Sequence, residues 1–199
     1  MQFKFVFVAA CFVVALGSFF ICRSKRDWFW LVLALAFTLG ADYFLVLHDR
    51  HLIGVAVFCH AHMAYIIRAA GSGDNPPRRL AMVVAWVFAA AGIYIFAALI
   101  TANIYMVAGL YALLFITNIY VSARYIRHNR VLVIAGLLLF AACDICVLIF
   151  NLPFYLGAPE GLTMVFPLIW VFYLPSQALL ALSAVDFRRI TRKYRLQSA

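Results

Sequence analysis

Two carboxylates stand where an apolar chain least tolerates them. Asp42 lies in Phe37–Tyr65, two apolar segments joined by the polar turn His48–His51, and Asp144 lies in a later apolar run, Val131–Phe150. A carboxylate in hydrocarbon costs at least a few kcal/mol, so it needs a partner, a water-filled cavity or a task. Asp42 is fourteen residues past Trp28 and Asp144 thirteen past Val131, which in helices sets them ~21 and ~20 Å along their axes. Both runs rise from the same side, so the carboxyls reach matching depth. This predicts a shared polar pocket suited to proton transfer, as a relay or in acid–base catalysis. The competing reading is that a hydroxyl or amide neutralises each carboxyl separately for structural reasons.

The nearby polar residues sort by helical spacing. His62 and Tyr65 are three apart and share a face, whereas His60 and His62 are two apart and diverge. A regular helix cannot aim both at one metal, so neither metal nor cofactor is expected. Tyr173 and Gln177 share a face, with Pro175 between them. A proline inside a helix frees a carbonyl, and broken helices are where membrane proteins build polar sites. Asn118 is a further pocket candidate. Tyr94, Asn103, Tyr111, Thr117 and Tyr120 read as interhelical hydrogen-bonding residues and interface anchors. The five cysteines form no extracellular framework, and Cys143-Asp-Ile-Cys146 reads as small residues packing on one helix face.

Composition sets the elements that must position these groups. The 199 residues are 68% hydrophobic and 12% charged, with a mean hydropathy of +1.03, far from the soluble average. Apolar runs at 3–21, 28–47, 52–69, 80–100, 103–124, 131–150 and 162–186 are each about long enough to cross ~30 Å of hydrocarbon. We therefore expect an all-α, polytopic transmembrane bundle of seven spans forming one domain over 1–199. A tight hairpin at Thr101-Ala102-Asn103 divides the fourth and fifth spans.

The net charge of +9 does not imply nucleic acid. Fourteen of the sixteen Lys and Arg fall in alternate connections: after the first span, between the third and fourth (Arg68 among them), between the fifth and sixth, and after the seventh. The positive-inside rule then gives an outer N-terminus and a cytoplasmic C-terminus. Residues 1–22 read as a first span rather than a signal peptide, because Arg-Ser-Lys-Arg follows at once. Asn151–Leu162 reads as the longest outer loop, and Asp186 beside Arg188 and Arg189 as a surface ion pair. The expected address is a bacterial inner membrane. Oligomeric state stays open.

In order and spacing, these motifs resemble the YhhN family of membrane proteins, the lysoplasmalogenases. The resemblance covers 37–183: Gly40-Ala-Asp42-Tyr-Phe-Leu-Val-Leu, Leu52-Ile-Gly54-Val-Ala-Val-Phe58, His62-Met-Ala-Tyr65, Phe140-Ala-Ala-Cys143-Asp144, Phe150-Asn151 and Tyr173-Leu-Pro-Ser-Gln177. The chain departs in having Gly-Ala-Asp where the family has Gly-Asp, and many members carry an additional early helix, which would raise the count to eight. The resemblance implies an ether hydrolase that cleaves the vinyl ether of a lysoplasmalogen to a fatty aldehyde and a glycerophospho-alcohol. Enol ethers hydrolyse by protonation at carbon and attack of water on the resulting oxocarbenium ion. That chemistry needs a carboxylic acid still protonated near neutral pH and an anion beside the cation. Asp42 and Asp144 could share one proton and divide these roles, with His62, Tyr65, Asn118, Tyr173 and Gln177 orienting water or binding the headgroup. The implied partners are a lysophospholipid-type substrate and the bilayer. The alternative is a small proton-coupled transporter or lipid-binding membrane sensor using the same Asp pair. A zinc hydrolase resembling alkaline ceramidases would need three converging ligands, and a retinal protein a lysine in the last helix, where 162–186 has none.

Overall fold

The computed structural model describes residues 2–72, 78–101, 103–155 and 163–187. Among these, seven α-helices follow one another: α1 (Gln2–Gly17), α2 (Lys25–Asp42), α3 (His51–Ala70), α4 (Arg78–Ile100), α5 (Ile104–Tyr125), α6 (Arg130–Tyr155) and α7 (Phe166–Leu182). Local signals set their ends. Ser24 caps α2 by accepting from the Asp27 amide at 3.4 Å, and Asp27 itself lies in the positive first turn. Asn103 caps α5 by accepting from the amides of Tyr105 and Met106, so the hairpin expected at Thr101-Ala102-Asn103 divides α4 from α5; Ala102 lies outside the described residues. Pro167 opens α7 where its missing N–H costs nothing.

Helices α1, α2, α3, α5, α6 and α7 pack in a closed ring, and α4 lies outside it against α3 and α5. Small residues let backbones approach. A Cβ at Gly136 of α6 would lie 2.9 Å from the Leu180 side chain and 3.3 Å from the Ser176 carbonyl of α7. The outer surface is apolar: Val13, Ile93, Phe96, Ile116, Leu138 and Val171 are all exposed. Water penalises such a surface and lipid does not. Four helical stretches, 25–47, 51–70, 104–125 and 130–151, are long and apolar enough to cross a membrane.

Three expectations need correction, and one turn was not foreseen. The residues 151–155 continue α6 instead of opening a loop, because Pro153 stands in the last turn and forfeits a single hydrogen bond there; the rest of that loop, 156–162, lies outside the described residues. The last helix is Phe166–Leu182, not 162–186: the chain leaves it at Ser183, and the Asp186 amide bonds the Ile21 carbonyl at 3.0 Å. Immediately after Asp42, α2 widens into a π-helical turn, Tyr43–Leu47. Its Leu45 occupies the space that a Cβ at Gly54 of α3 would fill.

Arg68, counted with the loop charges, instead lies in the last turn of α3 and is 2% exposed. It donates from Nε and Nη2 to both oxygens of Asp27 at 3.0 and 2.9 Å, and from Nη1 to Ser183 Oγ at 2.7 Å. The bidentate geometry compensates its burial. Asn129, at a positive φ of 47°, donates to the carbonyls of Ser183 and Val185. At this basic end the connections are thus tied to the foot of α7.

Candidate active site

Each carboxylate is held by one tyrosine from a helix running the opposite way. Tyr173 of α7 donates to Asp42 Oδ2 and Tyr111 of α5 donates to Asp144 Oδ2, both at 2.6 Å. Each tyrosine stands seven residues past the start of its helix, about 10 Å along the axis, so the two Asp–Tyr pairs occupy one level. The described hydrogen bonds join each carboxyl to a phenol and not to the other carboxyl.

Aromatic rings wall the pairs. Phe140 packs on Tyr173 (5.5 Å between centroids), on Phe115 (5.3 Å) and on Phe58 (5.7 Å). His62 stacks on Phe115 at 4.5 Å and meets Tyr111 edge-on at 5.0 Å. Its Nδ1 is 3.2 Å from Asn118 Nδ2, and Asn118 Oδ1 accepts from Ser122 Oγ at 3.0 Å. The amide donor toward Nδ1 leaves the proton on Nε2 when the ring is neutral. That Nε2, the Tyr65 hydroxyl and Gln177 Oε1 are buried without a hydrogen-bond partner among the described residues, although buried polar atoms are paired in the great majority of cases.

Asp42, Asp144, His62, Asn118 and Tyr173 therefore converge on one wall of rings and hydrogen bonds, while Tyr65 and Gln177 supply unpartnered polar atoms on α3 and α7. His60 goes elsewhere: its Nδ1 faces the Ala56 carbonyl at 2.9 Å and its ring lies 5.5 Å from Phe37. Cys143 and Cys146 are buried and unbridged. The sequence reading missed Tyr111 as a site residue, along with Phe58, Phe115 and Phe140. Helical spacing was the available signal, since Tyr111, Phe115, Asn118 and Ser122 share one face of α5. No group of three His, Cys, Asp or Glu among the described residues is close enough to share a metal ion.

No curated protein and no solved structure matches the chain. A family model does, over residues 2–184, nearly the whole length. That match takes in every helix described above and all the residues of the two Asp–Tyr pairs, and the chain belongs to the YhhN family.

Proposed function

We propose that the protein hydrolyses the vinyl ether of a lysoplasmalogen within the membrane, using Asp42 and Asp144 as the acid and the stabilising anion. The observation that carries this reading is the pair of carboxyls at matching depth along their helices, each held by a tyrosine hydroxyl. Such an arrangement fixes two carboxyls without neutralising either by a cation. Family membership is consistent with the activity.

One protonated carboxyl gives its proton to the alkenyl carbon β to the ether oxygen. Positive charge then develops at the α carbon and is shared with the oxygen. The other carboxylate faces that oxocarbenium ion, and an anion set beside a developing cation lowers the barrier most where water is excluded. Water adds to the α carbon and returns a proton to the pair. The hemiacetal so formed collapses to aldehyde and the glycerol hydroxyl. His62 Nε2, the Tyr65 hydroxyl and Gln177 Oε1, buried and without partners among the described residues, are suited to bind that water or the polar end of the substrate. The aromatic wall suits an alkenyl chain. Basic connections at one end of the helices support seven spans with the C-terminus cytoplasmic.

The test uses a synthetic lysoplasmalogen with purified protein in heavy water. Protonation at carbon by an exchangeable acid leaves one deuterium on the carbon next to the aldehyde, and the saturated 1-alkyl ether analogue is not cleaved. Absence of aldehyde from the wild type, together with proton movement coupled to a solute in proteoliposomes, would establish the transporter reading instead.

A further inference from the structure

At the basic end of the bundle a cavity of about 370 Å³ opens among the feet of α2, α3 and the α5–α6 connection. Its walls carry Arg23, Arg26, Arg68, Arg127 and His128. Among the described residues of the lining, Asp27 is the one carboxylate, and both of its oxygens are taken by Arg68. Arg23, Arg26 and Arg127 are exposed, and they stand around a fixed Arg68–Asp27 pair. Arg68 is buried. Gly71 makes room for Arg26, since a Cβ there would lie 3.0 Å from Arg26 Nη2 and 3.1 Å from Cζ. The Arg127 amide donates to Ser72 Oγ at 3.4 Å, joining the wall from α3 to the wall that precedes α6.

From these features we infer a second binding site, for a phosphate-bearing ligand. Guanidiniums fork onto phosphate oxygens bidentately, and basic pockets between helix ends at a membrane surface take phospholipid headgroups. Trp30, in the same lining, suits the membrane–water boundary. The site is distinct from the carboxyl pair. Asp27 and Asp42 are fifteen residues apart on α2, about 22 Å along the helix. In a lysoplasmalogen five bonds separate the vinyl ether oxygen from phosphorus, under about 8 Å at ~1.5 Å per bond. One substrate cannot fill both sites, so the phosphate held here belongs to another molecule: a bilayer lipid headgroup or a soluble phosphate.

The experiment uses full-length protein and reads binding, independently of aldehyde release. One arm titrates inorganic phosphate and glycerol 3-phosphate in zwitterionic detergent by calorimetry, with chloride as the control anion. The other counts lipids retained in native mass spectrometry from nanodiscs of phosphatidylglycerol against phosphatidylcholine alone. Saturable binding in the first arm assigns the site to soluble phosphate. Retention of phosphatidylglycerol alone assigns it to a headgroup. In either case the double substitution Arg23→Gln/Arg26→Gln should weaken binding about tenfold or more. The single Arg26→Gln serves if the double variant does not fold. The inference is overturned if neither arm saturates, or if a folded variant binds as the wild type does.

Discussion

Tyr111 and Tyr173 do the same physical work on two different helices, each donating a 2.6 Å hydrogen bond to a carboxylate, half-buried at Asp144 and buried at Asp42. A hydrogen bond to a charged group is worth ~1.5–3 kcal/mol, so removing a hydroxyl that orients a reacting carboxyl should lower turnover about 10–100-fold. Tyr111→Phe and Tyr173→Phe are expected to fold with unchanged helicity and lose kcat in that range. Activity within twofold of wild type would mean that the hydroxyls only fill space. The carboxylates were legible in the sequence because apolar neighbours make them conspicuous. Tyr111 was not, since a tyrosine in a membrane helix is ordinarily an interface anchor and its partner lies 33 positions away. Arg68 was misplaced for a related reason: a rule that counts basic residues in loops cannot see a buried partner such as Asp27, 41 positions distant. Arg68→Met strands that carboxylate and should cost ~3–5 kcal/mol, whereas Asp27→Leu with Arg68→Met should recover most of the loss. Thermal unfolding in detergent decides this, and equal loss in the single and double variants would contradict it.

At the scale of elements, helix ends followed from capping residues and turn signals, because these act over three or four positions. The π-helical turn at Tyr43–Leu47 had no such signal; it arises where α2 must pass α3, with Leu45 seated on Gly54. Wide turns of this kind gather at functional sites, and this one follows Asp42 directly. Close approach of α6 and α7 at Gly136 was likewise invisible before packing was known. Gly136→Leu should therefore destabilise the protein by ~1–3 kcal/mol through overpacking. Gly109→Ala, where nothing lies within 4 Å of the added Cβ, should leave stability unchanged or raise it by up to ~1 kcal/mol. The packing account fails if the two substitutions shift the unfolding midpoint equally.

For the whole molecule, hydropathy disclosed an all-helical bundle which, among the described residues, has four helices long and apolar enough to cross a membrane, since lipid imposes one pattern on every span. It was silent on the ring order of the helices and on the placement of α4 outside it, which depend on which faces meet. Two expectations belong to this scale. Single cysteines at Glu160 and Ser198, in an otherwise cysteine-free chain, should label differently with an impermeant reagent in intact cells. Labelling only at Glu160 matches the proposed orientation, and labelling only at Ser198 inverts it. Protein stripped with a strong chelator should keep its activity, because His60 and His62 face different partners. Loss restored by zinc alone would refute metal-free chemistry.

The central claim is that the two carboxyls carry the reaction, and the most direct measurement is aldehyde release from lysoplasmalogen by Asp42→Asn and Asp144→Asn. Asparagine keeps size and polarity but removes both the transferable proton and the negative charge. General acid catalysis is typically worth 10²–10⁴-fold, and a lost stabilising anion adds to that for whichever carboxyl supplies it. Each variant is expected to fold, to keep the helicity of the wild type, and to fall at least about a hundredfold in turnover. Two folded variants turning over within about tenfold of wild type, ~1.4 kcal/mol of barrier, would show that the Asp–Tyr pairs are structural and that the chemistry lies elsewhere.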